Sequence, residues 1–168
     1  MLTHSPVTHD ALASDASAAA VSMTIAATGC AGLVADVWQP SPVRSARADV
    51  IVCVFAPRNP AEFARILRAD GALIVVTPAN DHLIQLRVAG LIIGMQEDKL
   101  AQLDSALGEL FSLHDRARLH YEIELSATAA ADLTGMGPSG HHEAMGLWPG
   151  GSATVSVDCS VFAVKAPH

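Results

Sequence analysis

Two uninterrupted apolar runs, DVIVCVF at 49–55 and ALIVVT at 72–77, restrict the architecture of this chain more than any other feature. Neither run alternates polar with apolar residues, so each reads as a strand covered on both faces, as in a parallel sheet flanked by helices. The residues between them suit a helix. Asn59 supplies an N-cap, Pro60 takes the first helical position, Glu62 can close a capping box, and Phe63, Ile66 and Leu67 share a face until Asp70-Gly71 stops the run. Strand, helix and strand with short connections make a βαβ unit with a right-handed crossover.

The remaining segments extend this unit. GLVA at 32–35, ending in Asp36, is a further buried strand, and a helix is expected to start near Asp81. After an ambiguous Gly90 to Gly94 stretch, Leu100, Leu103, Leu107, Leu110 and Phe111 fall at helical spacing and predict a helix over 97–113. The last third changes period. Leu119, Tyr121, Ile123 and Leu125 alternate with His120, Glu122 and Glu124, and Val155, Val157, Cys159 and Val161 alternate with Ser156, Asp158 and Ser160. That pattern predicts two half-exposed strands, an antiparallel pair at one side of the sheet, with a short helix over 128–133 and a GMGPSGHH loop between them. The fold class is therefore α/β, a mostly parallel sheet with an antiparallel C-terminal strand pair.

A chain of 168 residues, 51% hydrophobic, is long enough for one core, so 1–168 is read as a single domain with 32–168 as its core and 1–31 as a less defined segment. The formal net charge of −7 opposes long-range attraction to phosphate, so a nucleic-acid partner needs a local basic patch. Cys30, Cys53 and Cys159 form no CxxC pair and read as small buried apolar residues. No basic start precedes an apolar block and no apolar run is long enough to span a bilayer, so a soluble cytoplasmic protein with no membrane partner is expected.

Ligands of open α/β sheets bind beyond the carboxyl ends of the strands, which points to Asp36 with Val37 and Trp38, to 55–59, and to 77–82. Asp36 either caps a turn or accepts from an adenine amino group or a ribose hydroxyl, with Val37 and Trp38 as an apolar wall. Phe55, Ala56 and Pro57 offer an aromatic ring and backbone carbonyls in a corner stiffened by proline, or else simply lead into the helix. Arg58 either reaches a ligand or is solvated, and His82 either contacts a ligand or starts a helix at the surface. Gly135-Met-Gly-Pro-Ser-Gly140 fits GxGxxG literally but follows a helix and carries proline where a phosphate-binding helix would begin, so it is rejected as a nucleotide loop. His141 and His142 with His82 have no convincing ligand spacing, and no metal site is expected. Without a GxSxG elbow or a nucleophile beside a base, positioning of a reactive cofactor fits better than covalent catalysis.

The segment ADVWQPSPVRSARADVIVCVFAPRNPAEFARILRADGALIVVTPANDHLIQL, with the later DLTGMGPSGHH, resembles the bacterial large-subunit rRNA guanine-N1 methyltransferases. The resemblance implies a class I, Rossmann-like methyltransferase sheet whose last hairpin is the antiparallel pair, S-adenosyl-L-methionine as cofactor and rRNA as partner. It implies that Asp36 lies beside the adenine, that Phe55, Ala56 and Pro57 form the substrate-facing catalytic corner, and that His82 lies close to the cofactor. DASAAAV at 15–21 is similar to the segment after the family's second strand, which makes Asp15 the acid that holds the ribose. This chain departs from the pattern in lacking the family's zinc module, first strand and glycine-rich loop. The alternatives are then an N-terminally truncated enzyme, alone or as a homodimer, and a non-catalytic or partner-stabilised remnant of one.

Overall fold

A computed structural model describes residues 10–92, 98–136 and 147–166. Its strands are β1 (Leu12–Asp15), β2 (Ala31–Val34), β3 (Ala48–Val54), β4 (Leu67–Pro78), β5 (Phe111–Leu125) and β6 (Gly151–Val164). Its helices are α1 (Ala18–Thr28), α2 (Pro60–Ile66), α3 (Ile84–Val88), α4 (Lys99–Leu107) and α5 (Ala127–Met136). The expected α/β class with a parallel part and an antiparallel C-terminal pair is present. β1 and β2 form a two-stranded parallel sheet, and a four-stranded sheet has the order β3-β4-β6-β5, with β3 parallel to β4 and β6 antiparallel to both of its neighbours.

Local chemistry explains several of these elements. Ser17 caps α1 by accepting from the Ala20 amide, and Gly29 ends the helix in the left-handed region at φ 72°. Helix α1 lies so close to β2 that a Cβ on Gly32 would come within 2.4 Å of Ile25 Cδ1, so the βα packing there requires glycine. Asn59 caps α2 as expected and Pro60 follows it. The reciprocal half of the capping box does not form, because the Glu62 carboxylate is engaged by the Ser41 amide and the Arg65 guanidinium.

Three expectations are corrected. Helix α2 stops at Ile66 rather than at Asp70-Gly71, since Leu67 turns extended, is buried, and pairs with Ala48. The helix expected over 97–113 ends at Leu107, and Phe111 begins β5 opposite Val164. The leucine stripe could not signal this change, because Leu103, Leu107 and Phe111 enter one core cluster although they lie on a helix and a strand. Finally, Ser156, Asp158 and Ser160 of β6 do not face solvent. Ser156 and Ser160 are 0% exposed and Asp158 is buried, because β6 lies inside the sheet with Arg116 and Arg118 of β5 bonded to Ser160 and Asp158. In the GMGPSGHH segment, Gly135 and Met136 end α5, and the rest, with His141 and His142, lies outside the described residues.

The four-stranded sheet has two unlike faces. On one, Cys53, Leu73, Val75 and Phe162 pack with Leu103, Leu107 and Phe111, and Phe63 and Ala64 of α2 close the cluster. The register places Val50, Val52 and Val54 on the opposite face with Ile74, Val76, Cys159 and Val161. There the three β3 valines are open, Val52 by 60%. At the far end of the sheet a second cluster, with Leu83, Leu86, Leu125, Ala130 and Ala153, joins α3 and α5 to the β5–β6 pair.

Candidate functional site at the strand ends

Asp15 ends β1, and its backbone carbonyl accepts from the Ala35 amide at 3.0 Å, which sets it beside the turn that follows β2. Each acid has one oxygen in a local bond: Asp15 Oδ1 accepts from Ser17 N at 2.7 Å, and Asp36 Oδ1 from Trp38 N at 3.0 Å. These are Asx turns, so the turn reading of Asp36 holds, and the second oxygen of each exposed carboxylate is left to accept from a ligand.

The turn after β2 is fastened to the corner after β3. Asn59 Nδ2 donates to the Val37 carbonyl at 3.0 Å while its Oδ1 accepts from Glu62 N. Further along, Arg65 holds the same loop by donating to the carbonyls of Ser41 and Val43 and to Ser45 Oγ. Its bidentate pairing with Glu62 and the Ser41 amide pull the Glu62 carboxyl down to about 2. Asn59, Glu62 and Arg65 therefore shape the site from outside it. Sequence reading saw Asn59 and Glu62 only as caps, since a bond spanning 22 residues leaves no local signal.

Phe55 continues the ladder by donating from its amide to Val76 O at 3.1 Å, then adopts a left-handed backbone at φ 52°. That conformation is strained for an aromatic residue and throws the ring outward, where it remains 54% exposed. It meets His82 from the turn after β4, with ring centroids 5.5 Å apart and planes inclined at 53°. Ala56 and Pro57 are exposed, but their carbonyls fold back towards the buried Cys53 thiol, at 3.5 and 3.8 Å from Sγ. Burial pushes the Cys53 thiol up, partly opposed by the Arg58 charge and a hydrogen bond to the Ala56 backbone.

His82 Nδ1 accepts from the Ser156 amide at 3.2 Å, which leaves its proton on Nε2. Its pKa is lowered first by burial and next by the Arg87 charge, so the neutral ring is the favoured form. A neutral imidazole with Nε2–H beside an outward aromatic ring can donate to an acceptor and orient a flat polar ligand, and it need not take up a proton to do so. A shallow depression of about 460 Å³, lined by Asp10, Ala11, Thr28, Gly29, Cys30 and Ala31, lies at the other ends of β1 and β2 and takes no part in this arrangement. Among the described residues no group of three His, Cys, Asp or Glu side chains is placed to hold a metal.

The fold is that of the class I methyltransferases. It matches the crystal structure of a candidate methyltransferase from Bacillus halodurans with TM-score 0.54 at 13% identity, covering 90% of this chain and 81% of that one. A structure from work on the conversion of a disulfide bond into a thioacetal group in echinomycin biosynthesis matches with TM-score 0.58 at 13% identity, over 92% of this chain and 66% of the other. No protein-family model matches the chain. By sequence the chain is similar to the 23S rRNA (guanine(748)-N(1))-methyltransferase of Streptomyces fradiae, 40% identical over 110 residues, which are 66% of this chain and 39% of that protein. A candidate 23S rRNA (guanine-N(1)-)-methyltransferase of Micromonospora griseorubida is 38% identical over 109 residues, 65% of this chain and 37% of the relative. The chain thus spans under two-fifths of the length of these curated relatives.

Proposed function

We propose that residues 1–168 form a single partial methyltransferase domain of the rRNA guanine-N1 type, using S-adenosyl-L-methionine to methylate a guanine of large-subunit rRNA in the cytoplasm. The observation that carries this reading is the Asn59–Val37 hydrogen bond, which brings the turn holding Asp36 against the corner holding Phe55. The residues present fit the adenosine half of the cofactor. Asp15 has a carboxylate oxygen left for ribose hydroxyls, Asp36 has one for the adenine amino group, and Val37 offers apolar surface beside it. When bound, the cofactor supplies an electrophilic methyl group.

The protein's own part is placement. Phe55 stacks on a flat base, His82 donates from Nε2 to a base or cofactor acceptor, and the Ala56-Pro57 corner limits how the base can enter. Among the described residues no helix is long and apolar enough to cross a membrane. Isothermal calorimetry with S-adenosyl-L-methionine tests the reading: binding weakened by Asp36→Asn and Asp15→Asn supports it. Undetectable binding by this chain and also by a longer polypeptide containing it would overturn it.

A further inference from the structure

The carboxyl ends of β3 and β4 carry positive charge that the site described above does not use. Arg58 follows the Phe55-Ala56-Pro57 corner, and because the Ala56 and Pro57 carbonyls turn back towards the Cys53 thiol, it starts from the side of the sheet that α4 covers. Arg87, in α3, donates from Nη2 to the Asn80 carbonyl in the turn that holds His82. Lys99 opens α4, and the strand register fixes its height. Asp104 of α4 bonds Arg116, which pairs with Ser160 opposite Val75. Helix α4 runs towards the amino end of β4, where Phe111 pairs with Val164. Lys99 precedes Asp104 by about 7.5 Å of helix axis, roughly the length of two strand residues, so it stands at the level of Thr77.

The electrostatics agree with this placement. Lys99 is held below the ordinary lysine value first by burial and then by the charges of Arg87 and Arg58, and after burial the charges of Arg87 and Lys99 also lower His82. Arg58 and Arg87 make no ion pair among the described residues. Asp81, the acid beside His82, is turned towards β5, with Oδ2 3.3 Å from His120 Nδ1. Arg87 Nε is buried without an acceptor, and so is the Thr77 hydroxyl at the same strand ends. Buried donors without partners are rare in folded proteins, and like charges gathered beside them mark a place for an anion.

We infer that Arg58, Arg87 and Lys99 hold a phosphate of the nucleotide whose base stacks on Phe55, an inference that rests on the proposed reading of this corner as the place where a guanine is methylated. Guanine N1 lies on the edge used in base pairing, so the nucleotide has to leave its stack before N1 can be reached. Stacking on one exposed ring fixes the plane of such a base and leaves it free to turn within that plane. A phosphate held beside the ring fixes the turn, since phosphate contacts position a nucleotide and base contacts identify it. With a formal net charge of −7, the chain can attract a phosphate only through a local basic patch, and these side chains supply one. The carboxylate of S-adenosyl-L-methionine is the other anion of the proposed reaction, and the test separates the two.

The full chain is titrated with guanosine 3′,5′-bisphosphate and with guanosine, read by NMR shifts of the Phe55 and His82 rings, and with S-adenosyl-L-methionine, read by calorimetry. The bisphosphate is expected to bind about tenfold more tightly than guanosine, the effect of charge-assisted phosphate contacts. Arg58→Gln and Arg87→Gln are expected to remove that advantage and leave guanosine binding as in the parent, whereas Arg58→Lys keeps most of it. Arg87→Gln also loses the bond to Asn80, so Arg58→Gln, which breaks no described hydrogen bond, is the deciding variant. Equal affinity for the bisphosphate and guanosine, an advantage that survives Arg58→Gln, or no binding of the bisphosphate overturns the inference. So does a loss of cofactor affinity in Arg58→Gln with nucleotide binding unchanged, which assigns the cations to the cofactor carboxylate. If the bisphosphate behaves as expected while S-adenosyl-L-methionine binds neither this chain nor a longer polypeptide containing it, the methyltransferase reading fails and the phosphate site stands.

Discussion

Asn59 holds Val37 as well as its own helix: Oδ1 accepts from the Glu62 amide at 3.3 Å and Nδ2 donates to the Val37 carbonyl at 3.0 Å. The two functions separate by substitution. Asn59→Ala removes both and is expected to cost about 1 kcal/mol of stability in urea unfolding, the usual loss of an N-cap. Asn59→Asp keeps the cap acceptor and loses only the donor, so its urea midpoint is expected near that of the parent. In both variants the amides of 36–39 should exchange faster, and unchanged exchange in Asn59→Asp would show that the tether to Val37 carries no weight.

The Glu62–Arg65 clamp predicts a pH dependence. Glu62 titrates at about 2 in the fold, held down first by its hydrogen bonds with Arg65 and then by the Ser41 amide, against roughly 4.3 in an unfolded chain. Between these values the unfolded state binds more protons, so the clamp's contribution is complete above the unfolded value and is lost as pH falls through the folded one. The difference in denaturant midpoint between the parent and Glu62→Gln should therefore be largest near pH 6 and shrink steadily towards pH 2.5. A difference that stays constant over that range would mean that the carboxylate charge contributes nothing.

The parallel core and the strand-end corner were legible in the sequence because their signals are local. The unbroken run at 49–55 and the Asn59-Pro60 start of α2 each need only neighbouring residues to be recognised. What escaped was set by distant partners. Leu67 leaves its helix to pair with Ala48, Phe111 leaves a leucine stripe to pair with Val164, and Asp158 is drawn inside the sheet by Arg118. The Asx turn at Asp36 was foreseen as one possibility, whereas the turn at Asp15 and the Asn59–Val37 bond needed the folded backbone.

Burial separates the three cysteines chemically. Cys53 is enclosed and its thiol is pushed up first by that burial, whereas Cys30 and Cys159 are partly exposed. A disulfide exchange reagent at pH 8 is expected to modify Cys30 and Cys159 in the native protein and Cys53 only with global unfolding, since the thiolate is the reacting form. Mass mapping that finds Cys53 modified first would contradict the packing of β3 on β4.

Leu73 is 0% exposed and sits in the cluster that joins β4 to α4 and β6. Truncation to alanine there is expected to cost about 2–5 kcal/mol, the range for a buried leucine whose surroundings collapse only partly. Val52→Ala, on the open face of β3, is expected to cost under about 0.5 kcal/mol by the same urea measurement, as at an ordinary surface position. Equal losses at the two positions would show that the valine face is already covered in the isolated chain.

Phe55 joins backbone strain to the state of His82. Its left-handed φ of 52° is easy only for glycine, so Phe55→Gly is expected to be more stable than Phe55→Ala by about 1 kcal/mol, although both lose the same ring. Either change uncovers His82, whose pKa is lowered chiefly by burial, and should raise it towards the ordinary histidine value. The sign for stability follows: a lowered folded pKa favours the neutral ring, so that contribution is present above the unfolded value of roughly 6.5 and is lost as pH falls below it. Titration of the His82 ring protons by NMR in the parent and both variants checks the shift. An unmoved His82 with a normal Phe55→Gly fold would mean that the ring contact serves the shape of the corner and not the protonation of the imidazole.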